Sequence, residues 1–267
     1  MRQFVDLGLP QDGVKAPTRA LNDARAPLYE WFTDASVNTC WNAVDRHVEA
    51  GRGDQVAIIH DSPVTRSKHA ITYAELQTRV ATLAGALRAK GVTKGDRVII
   101  YMPMVPEAVE AMLACARLGA IHSVVFGGFA SHALASRIDD ATPSVIVTAD
   151  AGSRGGKVIP YKPLLDEALR QSTHTVPHVL LVDRKLAPAE MDTPRDVDYW
   201  DARSSVMDAI VPCEWVEATH PSYTLYTSGT TGKPKGVQRD TGGYAVALAA
   251  SMEQVYCGKP GETFFCA

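Results

Sequence analysis

Apolar positions fall into two alternating rhythms along the middle of the chain. Val56-Ala57-Ile58-Ile59-His60 is a short β-forming run. Thr72-Tyr73-Ala74-Glu75 follows, with the Thr-x-x-Glu form in which hydroxyl and carboxylate reciprocally satisfy the exposed amides of a helix start. Behind it Leu76, Val80, Leu83, Ala84 and Leu87 recur at helical spacing, and Gly91 stands where a left-handed cap ends such a helix. Val98-Ile99-Ile100-Tyr101 then reads as a buried strand, and Pro103 or Pro106 opens a helix that runs to Leu118 and stops at Gly119. The alternation continues. His122-Ser123-Val124-Val125-Phe126 is a strand, Ser131 caps a helix to about Ala141, and Ser144-Val145-Ile146-Val147-Thr148 is a strand. A helix near 163–171 leads to Val179-Leu180-Leu181-Val182, and a last helix is expected over 243–255. Strands at this spacing, each followed by a helix, predict an α/β fold: a layered parallel sheet covered on both faces.

The two ends break the rhythm. To about Ala35, Pro10, Pro17, Pro27, Gly8 and Gly13 interrupt any sustained period, so this part reads as a wrapping or loose arm. At the other end Thr263-Phe264-Phe265-Cys266-Ala267 is an apolar, strand-like run inside which the chain stops. A core strand cut there would leave ladder groups unpaired, so the chain is expected to be part of a longer protein; the alternative is a terminal edge strand.

Composition narrows the function classes. With 267 residues, 46% of them hydrophobic, there is material for one large or two modest domains, and disorder is excluded for the bulk. A formal charge of -3 argues against a general nucleic-acid binder, which needs excess base to neutralise phosphates. No apolar run has the length of a membrane span, and the start lacks the layout of a secretory signal. Five scattered cysteines, Cys40, Cys115, Cys213, Cys257 and Cys266, read as reduced thiols of a cytoplasmic protein, with neither disulfide frame nor zinc site.

The densest chemistry follows the short strand Tyr223-Thr224-Leu225-Tyr226. There Thr227, Ser228, Gly229, Thr230, Thr231, Gly232, Lys233, Pro234, Lys235 and Gly236 stand in one unbroken string. Three glycines let the backbone turn its amides toward an anion. Four hydroxyls can donate to phosphate oxygens, and Lys233 and Lys235 bring compensating charge. The string is not a Walker loop: two residues separate Gly229 from Gly232 where that motif has four, and Pro234 replaces the metal-reaching hydroxyl. A solvated flexible turn can share this composition. A ten-residue run directly behind a strand favours the phosphate loop instead.

This string resembles the signature loop of the adenylate-forming (AMP-binding) superfamily, and the resemblance extends over nearly the whole chain. Trp31-Phe32 and Asn38…Asn42-x-x-Asp45-Arg46 resemble the N-terminal segment of short-chain acyl-CoA synthetases. Tyr101–Met104 and Ala114–Phe129 resemble the acetyl- and propionyl-CoA synthetase branch. Ala130-Ser131-His132, Ala149–Lys157 and Gly236–Asp240 resemble its propionyl-CoA members most. The resemblance implies an arm over 1–45 and the first part of an adenylating domain over 46–267. It implies ATP-dependent activation of propionate or acetate as acyl-AMP, then transfer to coenzyme A. Lys233 would be catalytic, and Thr227, Ser228, Gly229, Thr230, Thr231, Gly232, Lys235 and Gly236 would hold the ATP phosphates. Arg154, Gly155, Gly156 and Lys157 would hold the phosphates of coenzyme A, with the two glycines keeping that loop open. Gly127 and Gly128 would let its pantetheine approach the backbone. Lys157 departs from the arginine that acetyl-CoA synthetases tend to carry there. For Arg154 and Lys157 an ordinary solvated loop stays open as an alternative, and for Gly127 and Gly128 a simple strand-to-helix turn. Magnesium is expected, with its ligands, the adenine and acyl pockets and the catalytic lysine of a C-terminal domain all downstream of Ala267. The partners implied are small molecules and that missing part of the same protein, with neither nucleic acid nor membrane. Two further readings stand beside this one: a truncated, inactive fragment with weak phosphate or coenzyme A binding, and a generic nucleotide hydrolase, which Pro234 disfavours.

Some residues invite chemistry without supporting it. His174 and His178 are four apart, but Pro177 between them prevents the helix that metal ligands would need. His122 reads as a hydrogen-bonded core or site-wall histidine, Asp139-Asp140 as a solvated pair at a helix end, and Met102-Pro103-Met104 as core packing.

Overall fold

A computed structural model describes residues 17–207, 211–227 and 235–265. Its centre is a seven-stranded sheet assembled from the alternating runs. β1 (Leu21–Asn22), β2 (Glu30–Trp31) and β3 (Ser36–Val37) lie in the arm. β4 (Val56–Ser62) and β5 (Ser67–Thr72) form an antiparallel hairpin beside the main sheet. There follow α1 (Tyr73–Ala89), β6 (Arg97–Met102), α2 (Pro106–Leu118), β7 (Ile121–Phe126), α3 (Ser131–Ala141) and β8 (Val145–Ala149). β9 (Ala151–Arg154), β10 (Lys157–Pro160), α4 (Tyr161–Gln171), β11 (His178–Val182), β12 (Asp196–Asp198) and α5 (Tyr199–Ser204) come next. β13 (Val216–Glu217), β14 (Pro221–Thr227), β15 (Lys235–Asp240) and α6 (Thr241–Ala250) complete the order.

The sheet runs β12-β11-β8-β6-β7-β14-β15, parallel except for β15, which returns antiparallel to β14. Alternation along the strands explains the layers. Val98 and Ile100 of β6 face α1 and α2 in one core. Ile99 and Tyr101 of the same strand face α3 and α4 in the other. The sheet is therefore covered on both faces from β12 to β6. Toward β14 and β15 one face is bare, and Val124, Phe126, Leu225 and Val237 are exposed along it.

Helix ends follow their local chemistry. The Thr72 amide donates to Glu75 Oε2 at 2.8 Å and the Glu75 amide to Thr72 Oγ1 at 3.2 Å, both arms of the expected capping box. Pro106 is the first residue of α2, and Gly119 ends it at φ 67°, a left-handed conformation that suits glycine. α3 spans the expected residues but is not capped by Ser131; Ala130 holds the cap position and no side chain bonds there.

The arm is not loose where it is described. Phe32, Ala35 and Val37 are buried with Ala218, and β3 pairs with β13. Asn38, fully buried, donates through Nδ2 to the carbonyls of Ala116 at 2.8 Å and Glu214 at 2.7 Å. The strand expected at the end of the chain is absent among the described residues 263–265: Phe264 and Phe265 are exposed, and no neighbour offers a ladder for them to pair with. The last helix begins at Thr241 and passes into a wider π-type turn over Ser251–Val255.

Candidate functional site

Three connections leave the carboxyl ends of parallel strands on one edge of the sheet, and they carry the sequence-predicted site residues that are described, or lead into them. β7 delivers Gly127 and Gly128, β8 leads through Asp150 into the β9–β10 hairpin with Arg154 and Lys157, and β14 delivers the phosphate string. In open α/β sheets this edge is where ligands lodge, because loops and helix N-termini converge there.

The phosphate string is held at both bases. Tyr226 pairs with Gly236 and Thr227 with Lys235 across β14 and β15, and Thr227 Oγ1 donates to the Lys235 carbonyl at 3.5 Å. Ser228, Gly229, Thr230, Thr231, Gly232, Lys233 and Pro234 lie outside the described residues. Gly236 has a local reason to be glycine: an added Cβ would sit 3.1 Å from Thr224 Cγ2 and 3.3 Å from the Tyr226 ring. That close approach lets the Tyr226 hydroxyl donate to Asp140 Oδ2 at 2.6 Å, which ties the hairpin to the end of α3. Arg137 lies 5.5 Å from the Tyr226 ring centroid and 4.5 Å from that of Phe129, so one cation bridges two of the three loop regions.

Asp139 and Asp140 are solvent-accessible, as expected of a pair at a helix end, but each also holds a partner. Asp139 accepts from Ser172 Oγ at 2.6 Å and from the amides of Thr173 and His174 at 2.8 Å and 3.1 Å. These bonds, the Ser172 hydroxyl first, hold its carboxyl below the ordinary range. Asp140 is the anchor of Tyr226.

The second candidate group also comes together. The Arg154 guanidinium lies 5.7 Å from the Phe126 ring centroid, and a Cβ on Gly128 would sit 3.2 Å from Arg154 Nη1. Arg154 and Lys157 are exposed, and among the described residues neither has an acidic partner. Gly155 and Gly156 do not keep the loop open. Their φ values of 56° and 78° make a tight two-residue turn between β9 and β10, the left-handed pair that hairpin twist selects. Arg154 and Lys157 are consequently cross-strand partners. Gly127 is buried, and its missing side chain is explained by Tyr161: a Cβ there would fall 2.2 Å from Tyr161 Oη. The strand-to-helix alternative for this glycine is the one its surroundings favour. Sequence reading passed over Tyr101, whose hydroxyl donates to the Phe129 carbonyl at 3.2 Å and pins the loop after β7; a tyrosine inside an apolar run was its only signal.

His122 stacks on Tyr223 with 5.7 Å between ring centroids. It is not fully hydrogen-bonded, since its buried Nδ1 has no partner, and burial pushes its pKa down to about 4. A cleft of about 300 Å³ opens beside β15, but its lining includes Arg97, Ile121 and Thr142 at the amino ends of β6 and β7. Its other end is lined by Tyr226 and Gly236 at the base of the phosphate string. Magnesium takes oxygen ligands. Among the described residues one cluster could hold a metal ion, Cys40, Asp45 and Cys213, and two of its three donors are sulfur, which does not suit magnesium.

Known proteins share this chain's sequence over most of its length. The propionate–CoA ligase of Escherichia coli strain K12 is 53% identical over 250 residues, covering 94% of this chain and 40% of that protein. Its namesake from Salmonella typhimurium is 52% identical with the same coverage. The mitochondrial acyl-CoA synthetase short-chain family member 3 of Bos taurus is 49% identical over 250 residues, 94% of this chain and 36% of that protein. The chain thus spans about 40% of the length of the first of these relatives. No helix among the described residues is long and apolar enough to cross a membrane. Residues 44–267, from the arm's helical turns through the phosphate string, match the AMP-binding enzymes, and the chain belongs to that family.

Proposed function

We propose that this chain supplies the first part of an ATP-dependent short-chain acyl-CoA ligase acting on propionate or acetate. The observation that carries this reading is that Thr227 and Lys235, the bases of the phosphate string, the Gly127–Gly128 loop and the Arg154–Lys157 hairpin all stand at the carboxyl ends of the parallel strands. The names of the relatives support the same chemistry and favour propionate. A carboxylate oxygen attacks the α-phosphate of ATP, pyrophosphate leaves, and acyl-AMP forms. The coenzyme A thiol then attacks the acyl carbon and displaces AMP. Charge grows on pyrophosphate in the first step, so preorganised donors at its oxygens lower the barrier. Thr227, Ser228, Thr230 and Thr231 supply hydroxyls, Gly229, Gly232 and Gly236 leave their amides open, and Lys233 and Lys235 supply charge. In the second step Arg154 presents a planar fork, and Lys157 a point charge, to the phosphates of coenzyme A.

The 40% span favours a second reading for the chain on its own: phosphate or coenzyme A binding without turnover. ATP–pyrophosphate exchange with acetate, propionate and butyrate separates the two, run on this chain and on a full-length form of its relatives' extent. Exchange is expected from the full-length form with propionate, and none from the chain alone. Lys233→Ala should lower that exchange by about 10²–10³-fold, the usual loss for one oxyanion donor. Arg154→Glu should raise KM for coenzyme A and leave exchange intact. Undiminished exchange in Lys233→Ala, or ATP hydrolysis to ADP in place of AMP, would defeat the assignment.

A further inference from the structure

Away from the ligand edge, a buried group of four side chains joins the arm to the segment that leads into β13 and β14. Cys40 is fully buried and Cys213 half-buried, and both lie against the Asp45 carboxylate, with Sγ to Oδ2 distances of 3.7 Å and 3.6 Å. The two sulfurs lie within 4.8 Å of one another. Arg117 Nη1 bonds both Asp45 oxygens, at 2.9 Å and 2.8 Å, and reaches Cys40 Sγ at 3.5 Å.

Two thiols and a carboxylate at this spacing could hold a soft divalent cation. The position of that cation is already taken. The guanidinium neutralises Asp45 from within the cluster, Gln77 Nε2 donates to Asp45 Oδ1 at 2.9 Å, and a second positive charge there would meet Arg117 directly. What remains is a pair of thiols on one carboxylate, their sulfurs within 4.8 Å, with a guanidinium on one of them. The Arg117 guanidinium stands against Cys40 Sγ, and the Cys40 thiol faces the Asp45 carboxylate. The Cys213 thiol is pushed well up, by its interaction with Cys40 first and by burial second, and it donates to the same Asp45 oxygen.

We propose that Cys40 and Cys213 are a redox-modification site that closes to a disulfide under hydrogen peroxide. Peroxide enters from the half-buried Cys213 side. Cys40 gives its proton to the Asp45 carboxylate it faces and attacks one peroxide oxygen; the O–O bond breaks, hydroxide leaves and takes up that proton, and a sulfenic acid forms. Cys213 then gives up its proton and attacks the Cys40 sulfur, the S–O bond breaks, and a second hydroxide leaves. Two thiols and one peroxide become one disulfide and two waters. The bond would staple the arm to the 211–216 segment, which Arg117 already holds: its Nε donates to the Val211 carbonyl, and its own carbonyl accepts from the Glu214 amide at 2.7 Å. Oxidation thereby fixes the approach to the strand that carries the phosphate string.

The test is a non-reducing peptide map of the 267-residue chain after peroxide treatment and alkylation. A linked Cys40–Cys213 peptide, dissolved by dithiothreitol, is expected in the wild type and in Cys115→Ser. It should vanish in Cys213→Ser, whose half-buried position tolerates the change. Both cysteines recovered in the alkylated form, a sulfinic acid at either without a linked peptide, or linkage of either to Cys257 in its place would overturn the proposal. So would zinc retained one-to-one after desalting and shielding both thiols from alkylation. Because the wild-type map alone can decide against the bond, misfolding of a variant leaves the proposal exposed.

Discussion

Tyr161 decides what two glycines are for. Its hydroxyl lies 2.2 Å from the place a Cβ would take on Gly127 and equally close to that on Gly152, so both backbones pack on one ring. Gly127→Ala should therefore cost about 1–3 kcal/mol of stability in denaturant titrations, the usual cost of overfilling a packed core. The cost belongs to the pair, so it should shrink in a Tyr161→Leu background; strictly additive losses would show that Tyr161 is not the obstacle. Gly155 and Gly156 differ in kind. Open space surrounds both, and their left-handed φ values alone require glycine.

At the scale of elements, α2 is fixed by a charge that no apolar pattern announces. Glu110 is fully buried, accepts from the Tyr199 hydroxyl at 2.7 Å, and pairs with Arg79 of α1 at 3.3 Å and Arg203 of α5 at 3.2 Å. Glu110→Ala would leave the tyrosine hydroxyl without its acceptor and Arg203 without its counter-charge, though Arg203 still reaches Thr82 Oγ1, and a loss of about 3–5 kcal/mol is expected by thermal or chemical unfolding. A neutral result would mean that water replaces the carboxylate. The same contrast separates what could be read in the sequence from what could not. β6, β7, β8 and β11 and the helices α1 to α4 were legible because burial on one or two faces imposes a period on their residues. β15 was not. Lys235-Gly236-Val237-Gln238-Arg239-Asp240 is polar and holds as a strand through its ladder with β14, a cause that lies in the partner. β9 and β10 escaped for the same reason, and with them the tightness of the Gly155–Gly156 turn. Of the site, the phosphate string and the Arg154–Lys157 segment stood out by residue type. The anchors Asp140, Tyr161 and Tyr101 did not, because each reaches a partner more than 25 residues away along the chain: Tyr226, Gly127 and Phe129.

For the molecule as a whole, the weakest seam runs between β7 and β14. The phosphate string hangs from β14, yet the ladder there has a single register pair, Tyr223 with His122, against six between β6 and β7. The seam relies on side chains: His122 stacks on Tyr223, which packs edge-on against Tyr244 of α6 at 4.7 Å between centroids. Arg239 acts on the Tyr244 hydroxyl, whereas burial alone lowers the pKa of His122 from 6.5 to about 4. The sign of the pH effect follows. Above about pH 6.5 the imidazole is neutral in folded and unfolded chains alike, and its packing is fully available. As pH falls, the unfolded chain takes up the proton first, and stability drains away until about pH 4, where the folded state accepts it too. The gap between 6.5 and about 4 sets the loss at about 3 kcal/mol. His122→Phe keeps an aromatic ring on Tyr223 and removes the titration. The difference between wild-type and variant unfolding free energies, measured every half unit from pH 7.5 to pH 4, should therefore slope downward only below about pH 6.5. Other histidines cancel from that difference because both chains carry them. A flat difference would place the acid sensitivity elsewhere, and a rising one would show that His122 gains a partner for its proton on folding.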